Sequence, residues 1–391
     1  MRTDLNLDNS INRREFLQQA GLTAGSLAGV TMLPTSAGAE NKTQAGAIPP
    51  ITLISGSPRE RGRMYGSQFK DAILAFLDRE IYQAFILKPS PKDAMLAYAG
   101  ACGKAVKLYS PEIHDELEGM AEGAGLKIEE ILLITLHEEL YHRGVLPKVD
   151  HCTAVAVGPP DTSDGNTYVG QTWDWMQSVF GLSSMLHWKR NAGPSVLAYS
   201  FPGLWVGAGL NSAGLALCWT SANLGNRALG ARVGIPAYVL LAHLMYQETL
   251  DAVEQEAKRA TNAGWFTFVM ADAKGGLCNV EGSPKELVVE RSTGHLARIS
   301  FGTRTMTGTA AGAKVPLHPR CEKMNKLLGD ASGKITGETM QHFFQEPSCA
   351  ISVGRSTIDM MVFNTTKREA WLSRGPSYGV DWKRFTFDEA K

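Results

Sequence analysis

Cys152 is the residue whose chemistry the sequence raises first. It follows His151 and opens the run Cys152-Thr153-Ala154-Val155-Ala156-Val157, where helical spacing gives way to strand alternation. A thiol in that place is either an inert buried side chain, as free cysteines commonly are, or a nucleophile. Asp174, between Trp173 and Trp175, comes one hairpin later. A paired strand could set its carboxylate beside Cys152, or the carboxylate could cap a hairpin between two core tryptophans. Asn211, at a Gly-rich strand end, could donate an amide hydrogen to a developing oxyanion. It could equally be a turn asparagine, chosen because Asn tolerates left-handed geometry. Trp173, Trp175, Trp188 and Trp205 would suit an apolar acyl pocket, and at strand spacing they also suit plain core.

Two other patterns fail on spacing. His137-Glu138-Glu139-Leu140-Tyr141-His142 resembles a zinc-protease helix, but its histidines stand at i and i+5, about 140° apart around a helix rather than on one face. No metal site is expected there. Val206-Gly207-Ala208-Gly209-Leu210 does not complete Gly-x-Gly-x-x-Gly, because Ser212 stands in the last glycine's place, so no dinucleotide site is expected.

The elements that must position these residues fall into two parts. After a short apolar run from Ile51, apolar residues recur at helical spacing through Met64, Phe69, Ile73 and Leu77, then over Met95–Tyr109, Ile113–Ala124 and Ile128–Tyr141. From Cys152 the period is that of strands: Thr153–Val157, Tyr168–Thr172, Val196–Ser200, Leu204–Leu210 and Leu215–Thr220. Two helices, Ile235–Tyr246 and Leu250–Ala260, precede strands at Phe266–Ala271, Leu277–Glu281 and Leu287–Glu290. A helix near Thr339–Phe344 then precedes strands at Ile358–Phe363 and Glu369–Leu372. Hairpin-short connections between strands make this an α+β protein with helices packed on sheets.

Of the 391 residues, 44% are hydrophobic and 20% charged, a composition that supports a sizeable globular core. Lys+Arg and Asp+Glu both number 39, so no charge excess points to nucleic acid or an anionic membrane. Six scattered cysteines include no Cys-x-x-Cys pair and make no disulfide framework. Residues 1–39 read as a twin-arginine export signal: Arg13-Arg14-Glu15-Phe16-Leu17, a Gly- and Ala-rich stretch to Leu33, and Ala37-Gly38-Ala39. The stretch is too short and Gly-rich to span a bilayer stably. The sequence therefore predicts transport by the twin-arginine machinery, and work in the periplasm or outside the cell.

Several motifs recur in a fixed order: Gly56-Ser57-Pro58 through Gly62, Glu118 through Gly125, Cys152 through Val157, and Gly165-Asn166-Thr167. Gly170-Gln171-Thr172-Trp173-Asp174-Trp175, Gly209-Leu210-Asn211-Ser212-Ala213-Gly214-Leu215 and Ala271-Asp272-Ala273-Lys274-Gly275 complete the set. Their order over residues 51–375 resembles the isopenicillin-N (6-aminopenicillanate) acyltransferase family of N-terminal-nucleophile hydrolases. The resemblance implies a four-layer αββα sandwich and a precursor that cuts itself between His151 and Cys152. It would leave an α chain of about residues 40–151 and a β chain of 152–391 that stay associated. The freed α-amino group, with an ordinary pKa of about 7.7–8.0, would serve as base for the thiol of the same residue. The reaction implied is attack on the carbon–nitrogen amide of a small N-acyl compound through a thioester, with no cofactor and no metal. Hydrolysis is favoured over acyl transfer for an exported enzyme, since water is abundant there.

In the resembling family an Asp at the place of Asp174 orients the nucleophilic end, and Arg355 stands for a late active-site arginine. The sequence departs from the family in three places: Thr267 holds the position of an oxyanion-binding Asn, Thr172 stands where Asn is common, and His151 replaces the usual Gly before the nucleophile. A Gly there fits a strained peptide more easily. The alternatives are a binding protein of the same fold without turnover, for which Thr267 is the motive, and an uncleaved single-chain thiol hydrolase.

Overall fold

Ser57 starts the first helix for a chemical reason. Its hydroxyl accepts the Glu60 N–H while the Glu60 carboxylate accepts the Ser57 N–H at 2.8 Å, and Pro58 takes the first helical position. The computed structural model describes residues 48–87, 92–144, 152–175, 177–221, 230–299, 319–345, 357–375 and 381–389. The segment before Cys152 holds β1 (Thr52–Ile54), α1 (Pro58–Gln68), α2 (Lys70–Phe76), a π-helical turn (Leu77–Tyr82) and α3 (Gln83–Leu87). It continues with α4 (Lys92–Tyr109), α5 (Pro111–Ala124), α6 (Ile128–Thr135) and α7 (His137–His142).

The glycines of the first two sequence motifs are a packing device. A Cβ on Gly62 or Gly66 of α1 would lie 2.0 and 2.3 Å from backbone oxygens of α5. Reciprocally, a Cβ on Gly119 or Gly123 of α5 would lie 2.1 and 2.3 Å from backbone oxygens of α1. The two backbones therefore touch, and no larger side chain fits. Beside this contact Glu116 is fully buried and accepts from Arg61 Nη2 (2.6 Å), Trp188 Nε1 (3.1 Å) and Tyr246 OH (2.7 Å). One carboxylate thus ties α1 and α5 to parts of the chain that follow Cys152, and its donors offset its desolvation.

After Cys152 come β2 (Thr153–Val157), β3 (Tyr168–Asp174), β4 (Ser184–Trp188), β5 (Val196–Phe201), β6 (Leu204–Asn211) and β7 (Leu215–Ser221). Then follow α8 (Ala237–Met245), α9 (Leu250–Arg259), β8 (Phe266–Asp272), β9 (Leu277–Gly282), β10 (Leu287–Ser292) and β11 (His295–Arg298). The chain closes with α10 (Pro319–Asp330), α11 (Gly337–Gln345), β12 (Thr357–Asn364), β13 (Glu369–Arg374) and β14 (Lys383–Thr386). One sheet runs β1-β4-β5-β6-β7-β8-β9-β10 and the other β11-β2-β3-β12-β13-β14. β1 pairs parallel with β4, so the segment before Cys152 contributes a strand as well as helices.

The sheets face each other through β2 and β3 against β7 and β8, with α8 outside the larger sheet and α10 and α11 outside the smaller. Side-chain alternation fits this layering. Ala154, Ala156, Ile358 and Met361 join the core shared with the larger sheet, while Val155, Val157, Met360 and Val362 join the core under α10 and α11. The architecture is thus the four-layer αββα sandwich that the resemblance implied. β4, β11, β14 and α10 have no counterpart in the sequence reading. β4 sets Met185 beside Leu186, and β11 and β14 are four residues long with basic residues at an end, so none of the three shows clean alternation. Among the described residues no helix is long and apolar enough to cross a membrane, and Cys102, Cys152, Cys218, Cys278 and Cys321 are buried free thiols.

Gly119→Ala should lower stability by about 2 kcal/mol or more, because the methyl meets backbone that cannot move aside without parting the helices. Gly329→Ala, whose Cβ meets nothing within 4 Å, is the control. Equal urea midpoints for the two variants would refute the close-packing account.

Candidate active site

The site begins with strand register. β2 and β3 pair Thr153 with Thr172, and the Thr153 N–H donates to Thr172 Oγ1 at 3.1 Å. A hydroxyl at 172 therefore pins the start of β2, a role that accounts locally for Thr at that position. Cys152, one residue earlier, is 6% exposed. Its carbonyl oxygen accepts from Thr220 Oγ1 of β7 at 3.0 Å, a link from the smaller sheet to the larger.

Asp174 is fully buried at its carboxylate. Arg320 Nη1 of α10 donates to Oδ2 at 2.7 Å and Thr357 Oγ1 of β12 donates to Oδ1 at 2.6 Å. The carboxylate lies close enough to Cys152 to act on its thiol, and its partners come from far along the chain. Burial pushes the Cys152 thiol well above its ordinary range; the Asp174 carboxylate adds to this, and its N–H and the Arg320 guanidinium oppose it. The thiol is therefore held in its protonated form.

Thr267 of β8 stands directly opposite Thr220 in the β7–β8 ladder, so both side chains point between the sheets. The Thr267 hydroxyl is buried and has no hydrogen-bond partner among the described residues. Asn211 belongs elsewhere. It sits at the far end of the hairpin, beside Leu215, and five residues of β7 separate that end from Thr220, about 16 Å of strand. Its Nδ2 donates to the Met245 and Gln247 carbonyls at 3.0 and 2.7 Å, and its Oδ1 accepts from the Ala213 and Leu215 N–H groups. The amide is committed to the turn and to the end of α8, so the oxyanion role gives way to the turn-asparagine reading. Arg355 and His151 lie outside the described residues.

Sequence reasoning missed Arg320, Thr220 and Thr357. Arg320 had a signal: Pro319 at a helix start, followed by Cys321, Met324 and Leu328, all buried at helical spacing in α10. Thr220 and Thr357 had none, because a threonine in a strand is ordinary until the sheets are stacked.

α7 brings two carboxyls to the same neighbourhood. Glu138 accepts from Ser221 Oγ, the residue after Thr220, and lies 3.4 Å from His142 Nε2. Burial raises its pKa to about 8 and that of Glu139 to about 7, while it lowers that of His137 to about 3. His137 is thus a neutral ring packed edge-on against Trp175, with centroids 4.9 Å apart.

No protein-family model matches the chain. Among solved structures, a variant of conjugated bile acid hydrolase from Clostridium perfringens is 14% identical, with a TM-score of 0.43 over 61% of this chain and 95% of that one. Penicillin V acylase from Agrobacterium tumefaciens is 12% identical, with a TM-score of 0.41 over 61% of this chain and 88% of that one.

Arg320→Met leaves the Asp174 carboxylate buried without its cation and should cost about 3 kcal/mol. Adding Asp174→Asn should recover at least about 1 kcal/mol of that loss, read as coupling in urea unfolding of the four proteins. Strictly additive effects would show that the pair is not what holds this corner.

Proposed function

We propose that this protein is a cysteine N-terminal-nucleophile amidohydrolase that cuts itself between His151 and Cys152 and then hydrolyses small N-acyl amides outside the cytoplasm. The observation that carries the reading is the placement of Cys152. It stands at the start of β2, with the Asp174–Arg320 pair within electrostatic reach of its thiol and its carbonyl bonded to Thr220, which stands opposite Thr267.

Self-cleavage would free an α-amino group on the residue that carries the thiol, supplying the base that the uncut chain lacks. That amine takes the thiol proton as sulfur attacks the amide carbon. The carbon–nitrogen bond then breaks, the leaving nitrogen receives the proton, and the acyl group stays on sulfur as a thioester. Water attacks that thioester, again with the amine as base, and regenerates the thiol. Asp174, held by Arg320 and Thr357, would sit beside the new ammonium and orient it. The Thr267 hydroxyl, with its donor unused, would serve the oxyanion where a longer amide is the family habit. The α chain would remain in place through β1 and through the Glu116 contacts. The acyltransferase activity of the resembling family differs only in the final acceptor. The Arg13-Arg14 segment supports export by the twin-arginine route, where water is the abundant acceptor.

Intact mass under denaturing conditions should show two fragments of the exported protein, broken before Cys152, and one chain for Cys152→Ala. A single chain in both would remove the α-amino base and with it the proposal. In cleaved enzyme, Thr267→Val should lower kcat by about 10² and Thr267→Ser should restore most of it. Equal rates for Val and Ser would remove Thr267 from the oxyanion role.

A further inference from the structure

The larger sheet is incompletely paired beside Cys152. β6 and β7 pair Gly209 with Leu217 and Leu210 with Ala216, and their ladder goes no further toward Ser221, while β7 stays paired with β8 out to that residue. Beyond the last β6 partner the Trp219 N–H is answered from the other sheet: it donates to Gln171 Oε1 at 2.9 Å. Gln171 pairs with Ala154 in the β2–β3 ladder and so shares its face, the one that meets the larger sheet. A side-chain carboxamide from β3 thus takes the place of a ladder carbonyl at Trp219.

That bond settles which end of the amide is which. Oε1 accepts from Trp219, so Nε2 is the other end, and its protons have no acceptor among the described residues although Gln171 is fully buried. Thr220, next along β7, holds the Cys152 carbonyl through its hydroxyl and stands opposite Thr267, whose hydroxyl is likewise buried and without a partner. Two unused donors, one from each sheet, therefore flank the short piece of β7 that fixes Cys152. Leaving a buried donor unanswered costs free energy, so such a pair is complementary to an acceptor that arrives with a substrate. Carrying the β2–β3 register one residue past Thr153 sets Cys152 diagonally across from Gln171, where Cβ atoms lie about 7 Å apart, within reach of a long side chain. A purely structural role, propping Trp219, accounts for Oε1 but not for Nε2.

We propose that Gln171 Nε2 is a second oxyanion donor, acting from β3 on the same substrate oxygen as Thr267 Oγ1 from β8. This rests on the amidohydrolase reading and adds a catalytic residue to it. A hydroxyl brings one proton, whereas a carbonyl oxygen that gains charge as sulfur adds is best met by several donors already in place. As the carbon–sulfur bond forms, the carbonyl π pair moves onto oxygen and both donors tighten on it. As the carbon–nitrogen bond breaks, the pair returns to carbon and the donors relax. Gln171 transfers no proton in either step. The bond from Trp219 to Oε1 keeps the carboxamide from turning, so Nε2 is aimed before substrate arrives.

The test uses two variants, both confirmed folded by their urea midpoints. Gln171→Met keeps the length of the side chain and loses both amide ends; Gln171→Glu keeps an acceptor for Trp219 and loses the amide protons. Release of 4-nitroaniline from its acetyl, phenylacetyl and octanoyl amides is followed, with rates normalised to the fraction of chain cut before Cys152, read by intact mass. Gln171→Met should lower kcat by about 10² with KM little changed. Gln171→Glu should be as slow at neutral pH and should recover, relative to wild type at the same pH, as the solution is made acidic, because a protonated carboxyl regains a donor. A kcat for Gln171→Met within about threefold of wild type overturns the proposal. So does a full rate for Gln171→Glu at neutral pH beside a slow Gln171→Met, since only the Trp219 contact would then matter. In both of these cases turnover by wild type leaves the hydrolase reading intact. Wild type that is cut before Cys152 yet forms no thioester and releases no aniline from any of the three amides overturns the hydrolase reading, and the donor with it.

Discussion

A buried carboxylate cannot stand alone in a protein interior, and Asp174 is where this rule organises the molecule. Its two oxygens are answered by a guanidinium from α10 and a hydroxyl from β12, elements that lie 146 and 183 residues further along the chain. Because both must arrive for Asp174 to be tolerated, α10 is fixed over the smaller sheet and β12 is fixed beside β3. The start of β2, and with it Cys152, is held in the same corner by the Thr153–Thr172 hydrogen bond. The Asp174 charge, together with burial, disfavours a bare thiolate at Cys152.

A second buried carboxylate does the corresponding work for the segment before Cys152. Glu116 gathers Arg61 from α1, Trp188 from β4 and Tyr246 from the end of α8. A chain cut before Cys152 would keep these contacts, since none depends on the peptide bond that is broken. The same segment delivers α7 and its pair of acids to the Ser221 end of the larger sheet and to the start of α8. Its helices are therefore part of the site's wall as well as a support for it.

The site's polarity is also divided by layer. Between the sheets the Thr267 hydroxyl can donate to an oxygen gaining charge, while the Thr220 hydroxyl opposite it donates to the Cys152 carbonyl. On the α7 side lie carboxyls, which repel such an oxygen.

The sequence by itself determined the layers and the place of Cys152 where they meet. The change of period at Cys152 marked the helix-to-strand boundary, and alternation along each strand located most of both sheets, because burial of one face or two leaves a local, readable pattern. The collinear motifs singled out Cys152, Asp174 and Thr267; their glycines at 62, 119 and 123 prove to be helix-packing positions, legible in sequence as small residues but not as contact. Only the tertiary structure decided which residues complete the site. Arg320, Thr220 and Thr357 meet Asp174 and Cys152 through sheet stacking and helix docking, and Asn211 is carried to the opposite end of the hairpin by the direction of β7. Glu138 is an ordinary helix residue until α7 is laid against Ser221. The reason is common to all of these: a residue's type and its neighbours in sequence fix local geometry, whereas charge compensation and hydrogen bonding at a buried site are settled between elements far apart in the chain.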